Sequence, residues 1–243
     1  KQQIYELQHW ISHNNTLLHE WGLAKRIKPG YKALFHGPPG TGKTMTAGLL
    51  GKYTGRDVYR IDLSTVVSKY IGETEKNLAS LFDLAEDKNW ILFFDEADSL
   101  FGKRTNVRDA HDKYANQEVS YLLQRIEDFN GLVILASNFK SNIDDAFMRR
   151  FNMVICFKLP DRREREVIWQ TSLPEQLFDR HNSAHLELIK KISKYDLAGG
   201  HIINVVQYVS LKSLANDIKS VPFQYFLEGI RREFEKEGSV FTE

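Results

Sequence analysis

The stretch Gly37-Pro38-Pro39-Gly40-Thr41-Gly42-Lys43-Thr44 fits the pattern G-x-x-x-x-G-K-[ST] in full and predicts the fold. The apolar run Ala33-Leu34-Phe35 precedes it and predicts a buried strand, and residues 43–50 after it have helical spacing. In such a unit, backbone N–H groups of the loop point at phosphate oxygens, and the helix start adds a positive dipole end. The alternative is a glycine-rich turn without a ligand, and the full match in this context argues against it.

The side chains of this loop predict its ligand. Lys43 is expected to reach the β- and γ-phosphates of a nucleoside triphosphate, and the Thr44 hydroxyl is expected to ligate Mg²⁺. We expect nucleotide contacts from Pro38, Pro39, Gly40, Thr41, Gly42, Lys43, Thr44 and Met45.

Composition narrows the class of protein. The 243 residues carry 33 basic and 32 acidic side chains, so no strongly basic surface for nucleic acid is evident. No apolar stretch is long enough for a membrane span, and no signal-peptide pattern opens the chain. Cys156 is the single cysteine and is expected to be a buried strand thiol, which suits a reducing cytoplasm.

Apolar strands alternate with helices up to residue 159, and only helices follow. We predict an α/β P-loop NTPase fold, with a five-stranded parallel sheet covered by helices on both faces and a small helical lid domain. The predicted strands lie near 33–35, 58–61, 90–94, 132–136 and 153–157. The predicted domains are an N-terminal helical segment at 1–21, a nucleotide-binding domain at 22–159 and a lid at 160–243.

Two carboxylates follow the most apolar strand. Asp95 and Glu96 come directly after Trp90-Ile91-Leu92-Phe93-Phe94, at the end of a strand where open α/β sheets place ligands. Asp95 is expected to hold Mg²⁺ through water, and Glu96 to polarise the attacking water. An Asp-Glu pair alone would indicate only a loop, so this interpretation depends on the phosphate loop upstream.

Three segments together resemble the core of an AAA+ ATPase: Gly37 to Thr44, Ile91 to Asp98, and Ala136-Ser137-Asn138. The similarity extends over about residues 20–215 and implies ATP as the nucleotide. It is greatest to the protein-remodelling branch, which includes ESCRT-disassembly and microtubule-severing enzymes. The chain also resembles bacterial single-module members, some of which accompany contractile injection systems.

The resemblance implies further site residues. Asn138 matches the first sensor, which orients the attacking water, and Arg149 and Arg150 match the arginine-finger segment that reaches the neighbouring subunit's γ-phosphate. Without the resemblance, these would be a turn asparagine and a solvated basic helix end. Gly199, Gly200 and His201 match a lid turn near adenine and ribose, with an ordinary helix start and a surface histidine as the alternative.

The resemblance also implies pore loops. Lys69, Tyr70, Ile71 and Gly72 match the first pore loop, in which Tyr70 would contact a threaded polypeptide. On periodicity alone, Tyr70 and Ile71 would be core residues of a crossover. The polar segment 105–112 lies where a second pore loop is expected, with a simple surface loop as the alternative.

The leading hypothesis is an ATP-hydrolysing motor that forms a homo-oligomeric ring, expected to be a hexamer, and remodels or threads polypeptides. One alternative is a nucleic-acid AAA+ machine of the clamp-loader or initiator type, although no basic extension for DNA is evident. Another is an ATP-gated assembly factor with little turnover, and Glu96 argues against it.

Overall fold

The computed structural model describes residues 2–63, 73–98, 120–138, 148–218, 220–239 and 241, with only the backbone described at 73–77. The N-terminal helix α1 spans Gln2–Asn15 and continues into a π-helical turn at Thr16–Glu20. A short 3₁₀ turn at Leu23–Lys25 follows and leads to the first strand.

A parallel sheet of five strands forms the centre of the described chain. Its strands are β1 (Tyr31–His36), β2 (Val58–Asp62), β3 (Ile91–Asp95), β4 (Leu132–Ser137) and β5 (Met153–Cys156), in the order β2-β3-β4-β1-β5. Helix α2 spans Lys43–Thr54, α3 spans Glu73–Asp87, and α4 is described over 120–128. Crossover connections between parallel strands bring the carboxyl ends of β1, β3 and β4 to one edge of the sheet.

Helices cover both faces of the sheet, because side chains that alternate along each strand are apolar on both sides. One face packs Leu34, Leu92 and Phe94 against Phe82 of α3 and Leu122 of α4. The other face packs strand residues against α1 and α2 through a second buried cluster that includes Leu7, Ile11, Ala33, Phe35, Ala47, Leu50, Phe93 and Ile134. The predicted α/β fold is therefore confirmed.

A separate helical unit follows the sheet. It contains α5 (Arg162–Ser172), α6 (Ser183–Ile192), α7 (Gly199–Ala215) and α8 (Phe223–Lys236). Asp161 begins α5 with a capping box: its side chain accepts the Glu164 N–H, and the Glu164 carboxylate accepts the Asp161 N–H. The fully buried Trp169 lies in the core of this unit, edge-on to Phe226 at 6.0 Å.

Contacts divide the chain into two compact units. The first contains Lys1–Gly37 and Lys43–Phe157, and the second contains Pro38–Gly42 and Lys158–Glu243. In this division α1 belongs with the sheet. The functional domains at 1–21, 22–159 and 160–243 stay a prediction.

Cys156 lies on the surface, which corrects the prediction of a buried strand thiol. It ends β5, an edge strand on which buried Met153 and Ile155 alternate with more exposed neighbours. Because an edge strand is covered less completely, apolar neighbours in the sequence did not ensure burial of Cys156.

No helix of the described residues is long and apolar enough to cross a membrane.

A buried lysine gives the fold a pH dependence. Lys32 Nζ donates to Phe129 O at 2.9 Å, and burial, with repulsion from Lys28, lowers the pKa of Lys32 to about 8 against the opposing effect of Asp128 and Glu127. Between this pKa and the ordinary value of 10.5, the unfolded chain binds more protons than the folded chain. The free energy of unfolding therefore gains a term that rises with pH across this window.

We expect this term to be absent from Lys32→Met. The wild type should gain about 1 kcal/mol per pH unit relative to Lys32→Met between pH 8 and pH 10. Urea unfolding of both proteins at several pH values measures the difference. Parallel pH profiles would contradict the assignment to Lys32.

Candidate nucleotide site

The phosphate loop follows β1 at Gly37, where any side chain would force the neighbouring backbone to move. Gly37 has φ of 148°, and a Cβ at this position would lie 1.9 Å from the carbonyl oxygen of Phe157. The Phe157 N–H donates to His36 O at 2.7 Å, which holds the two backbones at this separation. The glycine that begins the motif is thus required by close backbone approach as well as by its φ angle.

The middle of the loop contacts the start of α7 within the second unit. The Gly200 N–H donates to Gly40 O at 2.9 Å, and a Cβ on Gly40 would lie 3.2 Å from the Ala198 Cβ. Gly199 and Gly200 therefore lie against the loop. His201 Nε2 lies 3.2 Å from a carboxylate oxygen of Glu237, a pairing that the sequence did not predict.

Lys43 and Asn138, far apart in sequence, meet through a direct hydrogen bond. The Lys43 Nζ donates to Asn138 Oδ1 at 2.9 Å and to Gly37 O at 2.7 Å. Lys43 is only 8% exposed, and burial lowers the pKa of Lys43 against the opposing effect of the Asp95 and Asp98 carboxylates. The structure brings the predicted phosphate ligand and the predicted sensor together.

Thr44 and Asp95 provide oxygen atoms suited to a divalent ion. The Thr44 hydroxyl donates to Asp95 Oδ2 at 3.4 Å, so α2 and β3 present these atoms side by side. Hydroxyl and carboxylate oxygens match the preference of Mg²⁺ for hard oxygen ligands. The predicted ligand Met45 is 66% exposed at the third position of α2.

Glu96 is exposed and follows β3 in a left-handed conformation. Its φ is 53°, which is uncommon for a residue with a side chain. The Glu96 N–H donates to Asp95 Oδ1 at 3.0 Å, and the next N–H, of Ala97, donates to Ala136 O at 2.8 Å. These bonds fix the turn that directs the two carboxylates differently, with Asp95 towards Thr44 and Glu96 at the surface.

Asp98 holds the segment that contains the predicted sensor Asn138, a role that the sequence did not predict. Its carboxylate accepts hydrogen bonds from the Ser137 hydroxyl and, at 3.0 Å, from the Asn138 N–H. The signal available in sequence was a further acidic residue three positions after Asp95, which gives no partner by itself. Asp98 therefore positions the residue that bonds Lys43.

We expect Asp98→Ala to lower the free energy of unfolding by about 1–3 kcal/mol, because two buried or half-buried donors lose their acceptor. Asp98→Asn should cost less, since its amide oxygen still accepts one bond. Urea denaturation measures both, with the exposed Asp87 changed to Ala as the control. Equal stability of Asp98→Ala and the wild type would contradict this role.

The two predicted finger arginines differ in their surroundings. Arg150 forms an ion pair with Glu127, whereas Arg149 is exposed and forms no ion pair among the described residues. The pore-loop residues Lys69, Tyr70, Ile71 and Gly72 and the segment 105–112 lie outside the described residues.

Comparison with known proteins identifies the family. Residues 33–159, more than half of the chain, match the family model described as "ATPase family associated with various cellular activities (AAA)". The chain belongs to the AAA family. This AAA chain has the nucleotide-binding fold and the ATPase class that its sequence predicted.

Individual relatives of this AAA chain include a proteasome regulatory subunit and a cell division protein. A 26S proteasome regulatory subunit 6B homolog from Dictyostelium discoideum is 30% identical over 89% of this chain and 55% of its own length. Cell division protein C from Sulfolobus acidocaldarius is 35% identical over 55% of this chain and 38% of its own length. The AAA chain thus spans about half or less of these relatives.

A solved structure shares the AAA fold. The crystal structure of the FIGL-1 AAA domain in complex with ADP superimposes with a TM-score of 0.71 at 22% identity, over 98% of this chain and 88% of that one. Because the sequence identity is low, this structural similarity supports the fold alone.

Proposed function

We propose that this AAA chain is the ATPase module of a homo-oligomeric ring, with six copies expected, that remodels polypeptides through a central pore. The observation that carries the ATPase part is the bond from Lys43 Nζ to Asn138 Oδ1, which brings a phosphate ligand and a water-orienting amide together. Support for remodelling comes from the protein-remodelling branch that the motifs resemble and from the similarity to a proteasome regulatory subunit.

The residues of this chain divide the work of hydrolysis. Lys43 binds the β- and γ-phosphates, while Thr44 and Asp95 would hold Mg²⁺. When bound, Mg²⁺ neutralises the charge that develops on the transferred phosphoryl group. Asn138 orients water for attack on the γ-phosphorus, Glu96 accepts its proton, and the bond to the β–γ bridging oxygen breaks.

The partners of the two arginines favour Arg149 as the residue that reaches a neighbouring subunit. Arg150 would have to leave Glu127 to reach a neighbour, whereas Arg149 is exposed. A guanidinium provided across an interface stabilises charge in the transition state. Arg150 then orients the segment through its ion pair.

We expect Arg149→Ala to lower kcat by about 10³-fold or more and Arg150→Ala by about tenfold or less. Mixing Arg149→Ala with Glu96→Gln protein should restore part of the activity, because interfaces with an intact finger and an intact base then exist. ATP turnover at several protein concentrations measures this. A larger loss from Arg150→Ala would reverse the assignment.

Tyr70→Ala tests the remodelling part separately. This variant should keep its basal ATP turnover and lose the unfolding of a tagged model substrate, because Tyr70 is proposed to grip the polypeptide rather than the nucleotide. Tyr53→Ala, which removes a 75% exposed aromatic from α2, provides the control. Unchanged unfolding by Tyr70→Ala would contradict threading.

The proposal includes two further expectations, about the cellular location of the protein and about the system in which it acts. We place the activity in the cytoplasm, because a chain with a single thiol suits a reducing compartment. The association with contractile injection systems stays a prediction of the sequence resemblance.

A further inference from the structure

Arg60 forms an ion pair with the carboxylate that is expected to hold Mg²⁺. Its Nη2 lies 2.7 Å from Asp95 Oδ2. β2 and β3 pair in parallel with Asp62 opposite Asp95, so the Arg60 side chain extends from two positions further back on β2. The Arg60 side chain is 60% exposed and that of Asp95 is 14% exposed.

The ion pair uses the carboxylate oxygen that Thr44 also approaches. Oδ2 of Asp95 accepts from the Thr44 hydroxyl at 3.4 Å, while Oδ1 accepts the Glu96 N–H at 3.0 Å. A carboxylate oxygen offers about two acceptor positions, so the Thr44 hydroxyl and the Arg60 guanidinium together use most of the capacity of Oδ2. A divalent ion shared by Thr44 and Asp95 would need the same oxygen and would repel the guanidinium.

We propose that Arg60 competes with Mg²⁺ for Asp95, so that Arg60 sets the Mg²⁺ concentration at which the site fills. This inference rests on the proposed Mg²⁺-dependent nucleotide site. Because β2 is an edge strand and Arg60 is largely exposed, its long side chain can turn into solvent when the ion arrives. Before the ion binds, the ion pair with Arg60 keeps the Asp95 carboxylate beside the Thr44 hydroxyl.

The test measures Mg²⁺ dependence of binding rather than turnover. Wild type and Arg60→Met are titrated with Mg²⁺ in the presence of a fluorescent, non-hydrolysable ATP analogue. We expect the Mg²⁺ concentration for half-maximal binding to fall about two- to fivefold in Arg60→Met. Affinity for the analogue in excess chelator should stay the same, since Arg60 is proposed to act on the ion alone.

Arg162→Met is the matched control. This change removes the same charge from a side chain of similar exposure, 59%. The partner of Arg162 is Glu166 of α5, which is distant from Asp95 in sequence. Its Mg²⁺ titration should match the wild type, and thermal denaturation should show that each variant is folded.

The possible outcomes separate this inference from the proposed function. If wild type binds the analogue in a Mg²⁺-dependent way and Arg60→Met has an equal or higher half-point, competition is overturned while the metal site stands. If wild-type binding does not depend on Mg²⁺, the metal site is contradicted and the role of Arg60 with it.

Discussion

Lys43→Met should lose most of its affinity for ATP, with a dissociation constant about 100-fold higher or more, because charge-assisted hydrogen bonds to the phosphates contribute about 1.5–3 kcal/mol each. The buried ammonium also donates to Gly37 O and Asn138 Oδ1, so its loss leaves the loop and the predicted sensor without their common donor. Methionine has a similar length and fills the space. Calorimetric titration with ATP measures the change in affinity.

Lys52→Met provides the control for this experiment. Lys52 lies in the last turn of the same helix, α2, and its side chain is exposed. Its removal changes net charge equally and should leave ATP affinity within about twofold, because an exposed charge at this distance is screened. ATP binding by Lys43→Met at wild-type affinity would contradict the assignment of the phosphate site.

Glu96→Gln should bind ATP normally and hydrolyse it about 10²- to 10⁴-fold more slowly, because glutamine cannot accept the proton of the attacking water. The two side chains have the same shape, so the left-handed backbone at φ 53° strains both residues about equally. The fold and the Asp95 carboxylate are thus left intact. Single-turnover hydrolysis and binding of the fluorescent analogue separate the two effects.

The exposed Glu175 changed to Gln tests whether the loss of a surface carboxylate has any effect on turnover by itself. It should hydrolyse ATP at the wild-type rate. Loss of ATP binding by Glu96→Gln would assign Glu96 to nucleotide binding instead of proton transfer. Full activity of Glu96→Gln would remove it from the reaction.

The parts of the fold that the sequence predicted are those with a local signal. The apolar run ending at Phe94 predicted β3, and the eight-residue loop motif predicted the connection from β1 to α2. Each of these signals lies within a short stretch of the chain: an apolar run for the strand, and glycines followed by a lysine at the start of the helix for the loop. The order of the strands in the sheet, β2-β3-β4-β1-β5, was not predicted, because it depends on pairing between strands that are distant along the chain.

The contacts that the sequence did not predict join residues distant along the chain. Arg60 is a single basic residue in a strand, and nothing local indicates that the register of β2 and β3 brings it to Asp95. Asp98 similarly bonds Asn138 across 40 positions. Burial of Cys156 was wrongly predicted because apolar neighbours do not reveal which strand lies at the edge.

The surface position of Cys156 offers a means of observing assembly without altering the natural sequence. It is the only thiol in the chain, so a maleimide dye reacts at one place. The next residue, Phe157, contacts Gly37 through its backbone, so the label reports from beside the phosphate loop. Chains labelled with donor and acceptor dyes can then be mixed, and energy transfer between them would test the proposed ring assembly as nucleotide is added.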